Sequence, residues 1–307
     1  MTTNEKNIGD MFVTQPIEIP AKEKKTRSLP TGDPQKELVK ILSGFSARHH
    51  HWQVFSDFCE IGALTFSNGV DHFHYAKREE RYMQIIKGYN AEELEKFSQA
   101  FTILTLAHEG SFTDVLGRTY HDLELHNKWA GQYFSPDPIC QLMSQFTLDD
   151  TPDLMERIEA NGFVTAQEPA CGSGAMVIAL AEAMLKAGIN YQKHLHVTAI
   201  DIDAKCVHMA YFQFSLLYIP ATILHGNTLS LEIYDHWYTP AHILGGWNRK
   251  LRRRDGADKA KALMNAAQAV ERAASLVDAV QAEADAEVKK EPKVELSKLT
   301  KGQLKLF

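Results

Sequence analysis

The chain has no long apolar run. No stretch approaches the roughly 20 residues that a membrane-crossing helix requires, and the first ten residues, MTTNEKNIGD, are polar and carry no apolar leader segment. Cysteine is scarce: Cys59, Cys140, Cys171 and Cys206 are the only four in 307 residues. They show no CxxC or mixed His/Cys ligand spacing, so a disulfide scaffold and a zinc module are both excluded, and free thiols in a reducing cytoplasm are expected. Positive charge is not in excess either. A net charge of -6 argues against a chain that coats nucleic acid indiscriminately, while leaving room for a local basic face. The histidines at 49–51, 72 and 74 lack ligand spacing and any companion carboxylate or cysteine cluster; surface or core roles are expected, and no metal. There is no internal repeat, and spacing supports no Ser-His-Asp arrangement.

What remains is a globular composition, 44% hydrophobic, with enough length for one or two domains and a sizeable core. Residues 1–36 read as a disordered N-terminal tail, with Lys22 to Arg27 holding most of its positive charge and Pro30 and Pro34 as breakers. Residues 37–130 read as a helical domain: Leu38, Ile41 and Leu42, and again Tyr82, Ile85, Ile86 and Tyr89, have helical spacing. Gly88-Tyr89-Asn90 ends one helix and Ala91-Glu92-Glu93-Leu94 opens the next. Residues 131–247 alternate short apolar runs with helical patterns, which predicts an α/β unit. Asp114 to Gly117 is read as a structural tether between the helical region and the glycine turn of that unit. After Gly245-Gly246-Trp247 the composition turns to Arg, Lys, Ala and Glu.

The α/β unit reads in order. Phe163 to Gln167 is a first strand, and Glu168-Pro169-Ala170-Cys171-Gly172-Ser173-Gly174 turns into a helix from Ser173 to Lys186. His196 to Ile200 is a second strand ending in Asp201-Ile202-Asp203; a helix runs from Ala204 to Tyr218; Ala221 to Leu224 is a third strand leading to Gly226-Asn227-Thr228; and Ala241 to Leu244 is read as a fourth strand. Parallel strands with helical crossovers bring these strand ends to one sheet edge, where open α/β sheets bind ligands. There Gly172 and Gly174 remove Cβ atoms from the path of a ligand. Glu168 offers an anion to an ammonium group, Asp201 can accept two ribose hydroxyls, and Asn227 can pair with an adenine edge. Ammonium, ribose and adenine together describe S-adenosylmethionine better than NAD, whose pyrophosphate would not tolerate the acid at the turn. Asp203 is read instead as a helix cap.

Four segments in this order, Gly131-Gln132-Tyr133-Phe134-Ser135-Pro136, EPACGSGA at 168–175, Ala199-Ile200-Asp201-Ile202-Asp203 and His225-Gly226-Asn227-Thr228-Leu229, resemble N6-adenine DNA methyltransferases, and most of all the modification subunits of type I restriction-modification systems. The resemblance covers about residues 112–247. It implies a class I, Rossmann-like methyltransferase domain behind a helical domain. It further implies that Tyr133, Phe134, Ser135 and Pro136 close over the methionine part of the cofactor, that Glu168, Cys171 and Gly172 hold its amino-acid end, Asp201 its ribose and Asn227 its adenine. By the same resemblance Pro169, Ala170, Gly174 and Ile202 belong to the cofactor site.

The chain also departs from this family. The family's Asn/Asp-Pro-Pro-aromatic segment, which grips a flipped adenine, has no counterpart; no Pro-Pro pair exists anywhere in the sequence. The comparable stretch is Ala241-His242-Ile243-Leu244-Gly245-Gly246-Trp247-Asn248-Arg249, which leaves Trp247, as a stacking ring or a core plug, and Asn248 as the catalytic candidates. About four strands are expected against about seven in a complete sheet, so the domain reads as truncated, and no target-recognition domain is recognisable after it. Two classes of function are implied: an S-adenosylmethionine-binding, methyltransferase-like protein acting on DNA or its replication and restriction machinery, or an active adenine-N6 methylase with an unusual motif and a partner subunit.

Residues 248–292 read as a basic linker and a long helix. Arg249, Lys250, Arg252, Arg253 and Arg254 are either a phosphate-binding cluster or a solvated linker. Leu263, Val270 and Val277, with Ala266, Ala273 and Val280, form an Ala-rich heptad seam, for a homodimer or for the body of the same chain, with the second favoured. Residues 293–307 read as a flexible tail ending in Gln303-Leu304-Lys305-Leu306-Phe307. This resembles the pentapeptide by which bacterial replication and repair proteins hold the sliding clamp. The likeness implies partner contacts by Gln303, Leu304, Leu306 and Phe307, with Lys305 where Ser or Asp is usual.

Overall fold

The computed structural model describes residues 32–45, 49–123, 125, 134–148 and 151–256, with scattered helical positions between 258 and 272. Five helices come first: α1 (Pro34–Ser43), α2 (His51–Val70), α3 (Tyr75–Ile86), α4 (Ala91–Gly110) and α5 (Val115–Asp122). Their starts reflect local chemistry. Asp33 caps α1 with Pro34 in the first turn, and Asn90 and Glu93 form a reciprocal capping box on α4. Then come α6 (Asp137–Leu148), α7 (Thr151–Asn161), β1 (Val164–Glu168), α8 (Ala175–Lys186), α9 (Tyr191–His194), β2 (Leu195–Asp201), α10 (Ala204–Leu216), β3 (Ala221–Asn227), β4 (Glu232–Tyr238) and α11 (Pro240–Leu244). A further helical stretch spans 247–256.

The four strands form one sheet in the order β1-β2-β3-β4. β1, β2 and β3 are parallel, and β4 returns antiparallel to β3, pairing Asn227 with Glu232 and Thr222 with Tyr238. This corrects the fourth strand. Ala241 to Leu244 is helical because Thr239 accepts the His242 N–H at 3.3 Å and Pro240 occupies the first turn. The strand is the preceding segment, EIYDHWY.

The sheet's two faces differ in composition. Val164, Ala166, Leu195, Val197, Ala199, Ala221 and Ile223 share one face and belong to the main core. On the other face stand Thr165, Gln167, His196, Thr198 and Thr222. Thr165 and Gln167 are exposed, while His196 is buried. A sheet covered on both sides reads as continuous apolar strands; β1 instead alternates, Val-Thr-Ala-Gln-Glu, while on its polar face the neighbouring strands add Ile200 and Leu224.

The helical half packs behind α10. Phe58, Phe66 and Phe101 surround Phe212 with ring centroids 5.6, 6.0 and 5.1 Å away. Arg78 of α3, itself buried against Asp71 at 2.8 Å, donates to the His236 carbonyl of β4 at 2.7 Å and lies 4.1 Å over the Trp237 ring. One hydrophobic cluster therefore runs from α1 to β4.

All four cysteines are free and buried. Among the described residues no helix is long and apolar enough to cross a membrane, and no group of three His, Cys, Asp or Glu side chains could hold a metal ion. His49 stacks on Tyr89 with centroids 4.5 Å apart, and His74 bonds Asp71 at 2.7 Å.

Candidate functional site

The ends of β1, β2 and β3 form one edge, and two carboxylates and an amide stand on it. Glu168 ends β1, and its Oε1 accepts the Ala170 N–H at 3.1 Å. Asp201 ends β2, with one carboxylate oxygen accepting the Gly172 N–H at 2.8 Å and the other the Asp203 N–H at 2.9 Å. Burial raises the Asp201 pKa above the ordinary carboxylate value, against the lowering effect of those N–H donors. Asn227 ends β3; its side-chain oxygen accepts the Leu229 N–H at 2.9 Å and the Ser230 N–H at 3.3 Å. Asp203 caps α10 through the Lys205 N–H at 2.9 Å.

The glycine turn is stitched to its neighbours. Cys171 N–H donates to the Ile200 carbonyl at 2.9 Å, and the Thr228 hydroxyl donates to the Pro169 carbonyl at 2.6 Å. Gly172 has φ +53°, and a Cβ there would stand 3.0 Å from the Phe134 ring, so the turn approaches Phe134 closely. Gly174 has φ +101°, and a Cβ there would lie 2.5 Å from the Phe214 ring. Its demand for glycine thus comes from the chain's own packing against α10, a different reason from the ligand approach expected from sequence. Burial drives the Cys171 thiol pKa well up, so this sulfur is a neutral packing group. Pro169 and Ala170 are exposed, and so is Ile202, at 62%, which leaves an apolar side chain standing beside Asp201.

Phe134, Ser135 and Pro136 lie beside the turn. Phe134 sits between Tyr120 and His121, with centroids at 5.3 and 5.6 Å. A cavity of about 550 Å³ opens here, lined among others by Asp114, Arg118, His121, Phe134, Ser135 and Asp137. Arg118 and Asp137 pair across it at 3.2 Å. Sequence reasoning missed Arg118 and His121, which carry no motif signal. The tether expected at Asp114 is present. Its buried carboxylate accepts from the Ser173 hydroxyl, from Gln213 at 2.9 Å and from the Gly117 N–H at 2.8 Å, while Gln213 also donates to the Ser173 carbonyl at 2.8 Å. α5, the glycine turn and α10 are locked by one polar network, with Gln213 its unforeseen member.

The structure does not bring Trp247 and Asn248 to this edge. Trp247 is 1% exposed, packed on Phe163 and His196 with centroids 5.1 and 5.2 Å away. Phe163 immediately precedes β1 and His196 is the second residue of β2, whereas Glu168 and Asp201 close these strands. The rise of a strand, about 3.3 Å per residue, makes β2 roughly 20 Å long from first to last residue. Trp247 is a packed wall at the opposite pole. Asn248 is exposed there and shares a cavity with His74, His236 and Tyr238.

The basic cluster lies at that same pole. Arg254 donates to the Thr165 hydroxyl at 3.0 Å, and Lys250 lies 4.2 Å over Trp247. Arg249, Arg252 and Arg253 are exposed. Leu263 is 73% exposed, so at this position the seam does not lie against the body of the chain, contrary to the favoured expectation. Tyr133, Val270, Ala273, Val277, Val280 and the terminal Gln303, Leu304, Leu306 and Phe307 lie outside the described residues.

Comparison with known proteins agrees with the motifs. Residues 112–243 match the family model described as N-6 DNA Methylase, the same segment over which the sequence resembles N6-adenine DNA methyltransferases. No curated protein matches the chain. Solved structures are similar as well. A chain described as a class I S-adenosylmethionine-dependent methyltransferase from Listeria monocytogenes is 16% identical at a TM-score of 0.36, over 66% of this chain and 56% of the other. A type I restriction-modification system methyltransferase subunit from Streptococcus thermophilus is 14% identical at a TM-score of 0.32, over 65% and 58%. The chain thus spans a little over half the length of each. Its α/β half is a four-stranded sheet, with three parallel strands and an antiparallel fourth, preceded by helices.

Proposed function

We propose that this protein binds S-adenosylmethionine at the edge formed by the ends of β1, β2 and β3, and that it acts on DNA as a methyltransferase-like protein whose own residues do not complete methyl transfer. Glu168 would hold the ammonium group, Asp201 the ribose hydroxyls, and Asn227 the adenine. Because the Asn227 oxygen already serves its own turn, its Nδ2 is the group left to donate to the ring. Phe134 would cover the methionine end. The cofactor supplies an electrophilic methyl group; the chain's part is to bind and orient it and to exclude water.

The observation that carries this reading is the convergence of Glu168, Asp201 and Asn227 on one edge, with Trp247 and Asn248 at the other pole. Isothermal titration calorimetry with S-adenosylmethionine tests the first half; an absence of binding by the full chain would end it. Radioactive methyl transfer to unmethylated DNA tests the second. Label in N6-methyladenine that Asn248→Ala abolishes would establish catalysis by this chain.

One observation favours a second reading, an adenine-N6 methylase completed by a partner subunit. Among the described residues β1 pairs only with β2, which leaves the other edge of β1 without a strand. Methyl transfer that appears only on adding a second subunit would select this reading. For the terminal Gln-Leu-Lys-Leu-Phe peptide we propose sliding-clamp binding. A clamp pull-down with the intact chain and with the last five residues removed tests it, and failure of the intact chain to bind would remove the proposal.

A further inference from the structure

We infer that the pole of the sheet where the strands begin is a binding site for the phosphates of duplex DNA, built from Lys193, Lys250, Arg253 and Arg254. It rests on the reading of the basic cluster as a phosphate contact, and adds to it a cavity, a fourth cation from a distant part of the chain, and a location. The cavity has a volume of about 420 Å³; Gly162 and Phe163 form its apolar floor, and no carboxylate is among its lining residues. Lys193 belongs to α9, remote in sequence from the basic run, and the fold brings the two together. A basic linker that served only solubility would give no reason for that meeting.

The four cations are not equivalent. Arg254 is a strut: it bonds Thr165 at 3.0 Å, lies 5.4 Å over the Phe163 ring, and pairs with Asp255 at 3.1 Å. Asp258 approaches it at 3.9 Å. Lys250 rests on Trp247. Lys193 and Arg253 are exposed and free to meet a ligand. The C-terminal end of α7 lies beside them at Asn161, and a helix C-terminus favours a nearby cation. That accounts for one cation rather than four, since like charges gathered around one cavity repel each other. A polyanion relieves this repulsion.

The charge continues past the cavity. Arg249, Arg252 and Arg253, all exposed, stand at i, i+3 and i+4 on the helical stretch 247–256, which places them along one face. A track of this kind suits a ligand with phosphates in series better than a single small anion. Its position has a consequence for mechanism. DNA held here lies at the far end of the strands from Asp201, so this contact anchors DNA and does not present a base to the chain's own cofactor edge.

Fluorescence anisotropy with the full chain and a labelled duplex of about 20 base pairs, between roughly 50 and 200 mM salt, tests the inference. The wild type is expected to bind. Lys193→Ala with Arg253→Ala is expected to weaken binding about tenfold or more at the lower salt and to reduce the slope of log K against log salt by about 2. Lys87→Ala, on the helical half, is expected to change neither, and S-adenosylmethionine is expected to leave DNA affinity unaltered. Both substituted side chains of the double variant are exposed, so its melting temperature should match the wild type. An unbound wild type, or an unchanged slope in the double variant, would overturn the inference. So would DNA affinity that rises with S-adenosylmethionine, or displacement by inorganic phosphate where chloride of equal ionic strength has no effect. Failure of the calorimetric titration with S-adenosylmethionine would strike the cofactor reading and leave this one standing.

Discussion

The Gly172 N–H donates to the Asp201 carboxylate at 2.8 Å. This bond joins the turn after β1 to the end of β2, so the residue that would hold a ribose also holds the shape of the turn beside it. Asp201→Ala should therefore remove a ligand contact and loosen the turn together. Asp201→Asn keeps an acceptor for Gly172 while removing the charge. Calorimetry should show S-adenosylmethionine affinity falling by about 10–100-fold in the alanine variant, the range of a hydrogen bond to a charged group, and by less in the asparagine variant. Equal losses in both would mean that charge alone matters and the bond to Gly172 does not.

Gly174→Ala should be among the most destabilising single changes in the α/β half. The residue has φ +101°, and the new Cβ would lie 2.5 Å from Phe214. Overpacking of about 1–3 kcal/mol adds to left-handed strain of about 1–2 kcal/mol. Gly188 has φ +77° with no atom within 4 Å of the site of a Cβ, so Gly188→Ala should cost only the strain. Urea denaturation of the two variants separates the terms; equal costs would show that Phe214 moves aside freely.

Trp247→Ala should reduce stability by about 3–5 kcal/mol, as expected for emptying a large buried site, because the ring is enclosed by Phe163 and His196. S-adenosylmethionine affinity measured well below the new melting temperature should be unchanged, since the edge proposed to hold it is at the other end of the strands. A selective loss of cofactor affinity with stability intact would contradict this geometry.

Acid should destabilise the fold before it titrates most carboxylates. Burial pushes His196 down to about 3 and His108 down to about 4, and it lowers His242, which sits 2.8 Å from His196. Above pH ~6.5, the ordinary histidine value, these rings are neutral in folded and unfolded chains alike. Below it the unfolded chain takes up protons that the folded chain refuses, so stability falls as pH drops from about 6.5 toward the depressed values, by up to roughly 1.4 kcal/mol per pH unit for each such ring. Denaturation series at several pH values should show this slope, and His196→Asn should make it shallower. A stability curve flat between pH ~6.5 and ~5 would rule the effect out.

The order of strand, glycine turn, helix and acid was legible in the chain because each is a local matter. The first strand before Glu168, the glycines at 172 and 174, Asp203 as a cap and the helix start at Ala91 all act over a few residues, and the structure differs there mostly by one or two residues at element ends. Arg118, His121 and Gln213 were not legible, since their roles depend on partners from other parts of the chain. Only the tertiary structure decided the direction of the fourth strand. A parallel strand at Ala241 to Leu244, as read from the sequence, would have carried the chain to the edge of Glu168 and Asp201 and set Trp247 and Asn248 there. Because β4 instead folds straight back along β3, the chain leaves the sheet where the strands begin, and α11, Trp247 and the arginines after it are delivered to the opposite pole. Residue spacing specifies which groups exist and how far apart they are along the chain. The hydrogen-bonding direction of one edge strand, set by pairing between distant backbones, fixes which end of the sheet they reach.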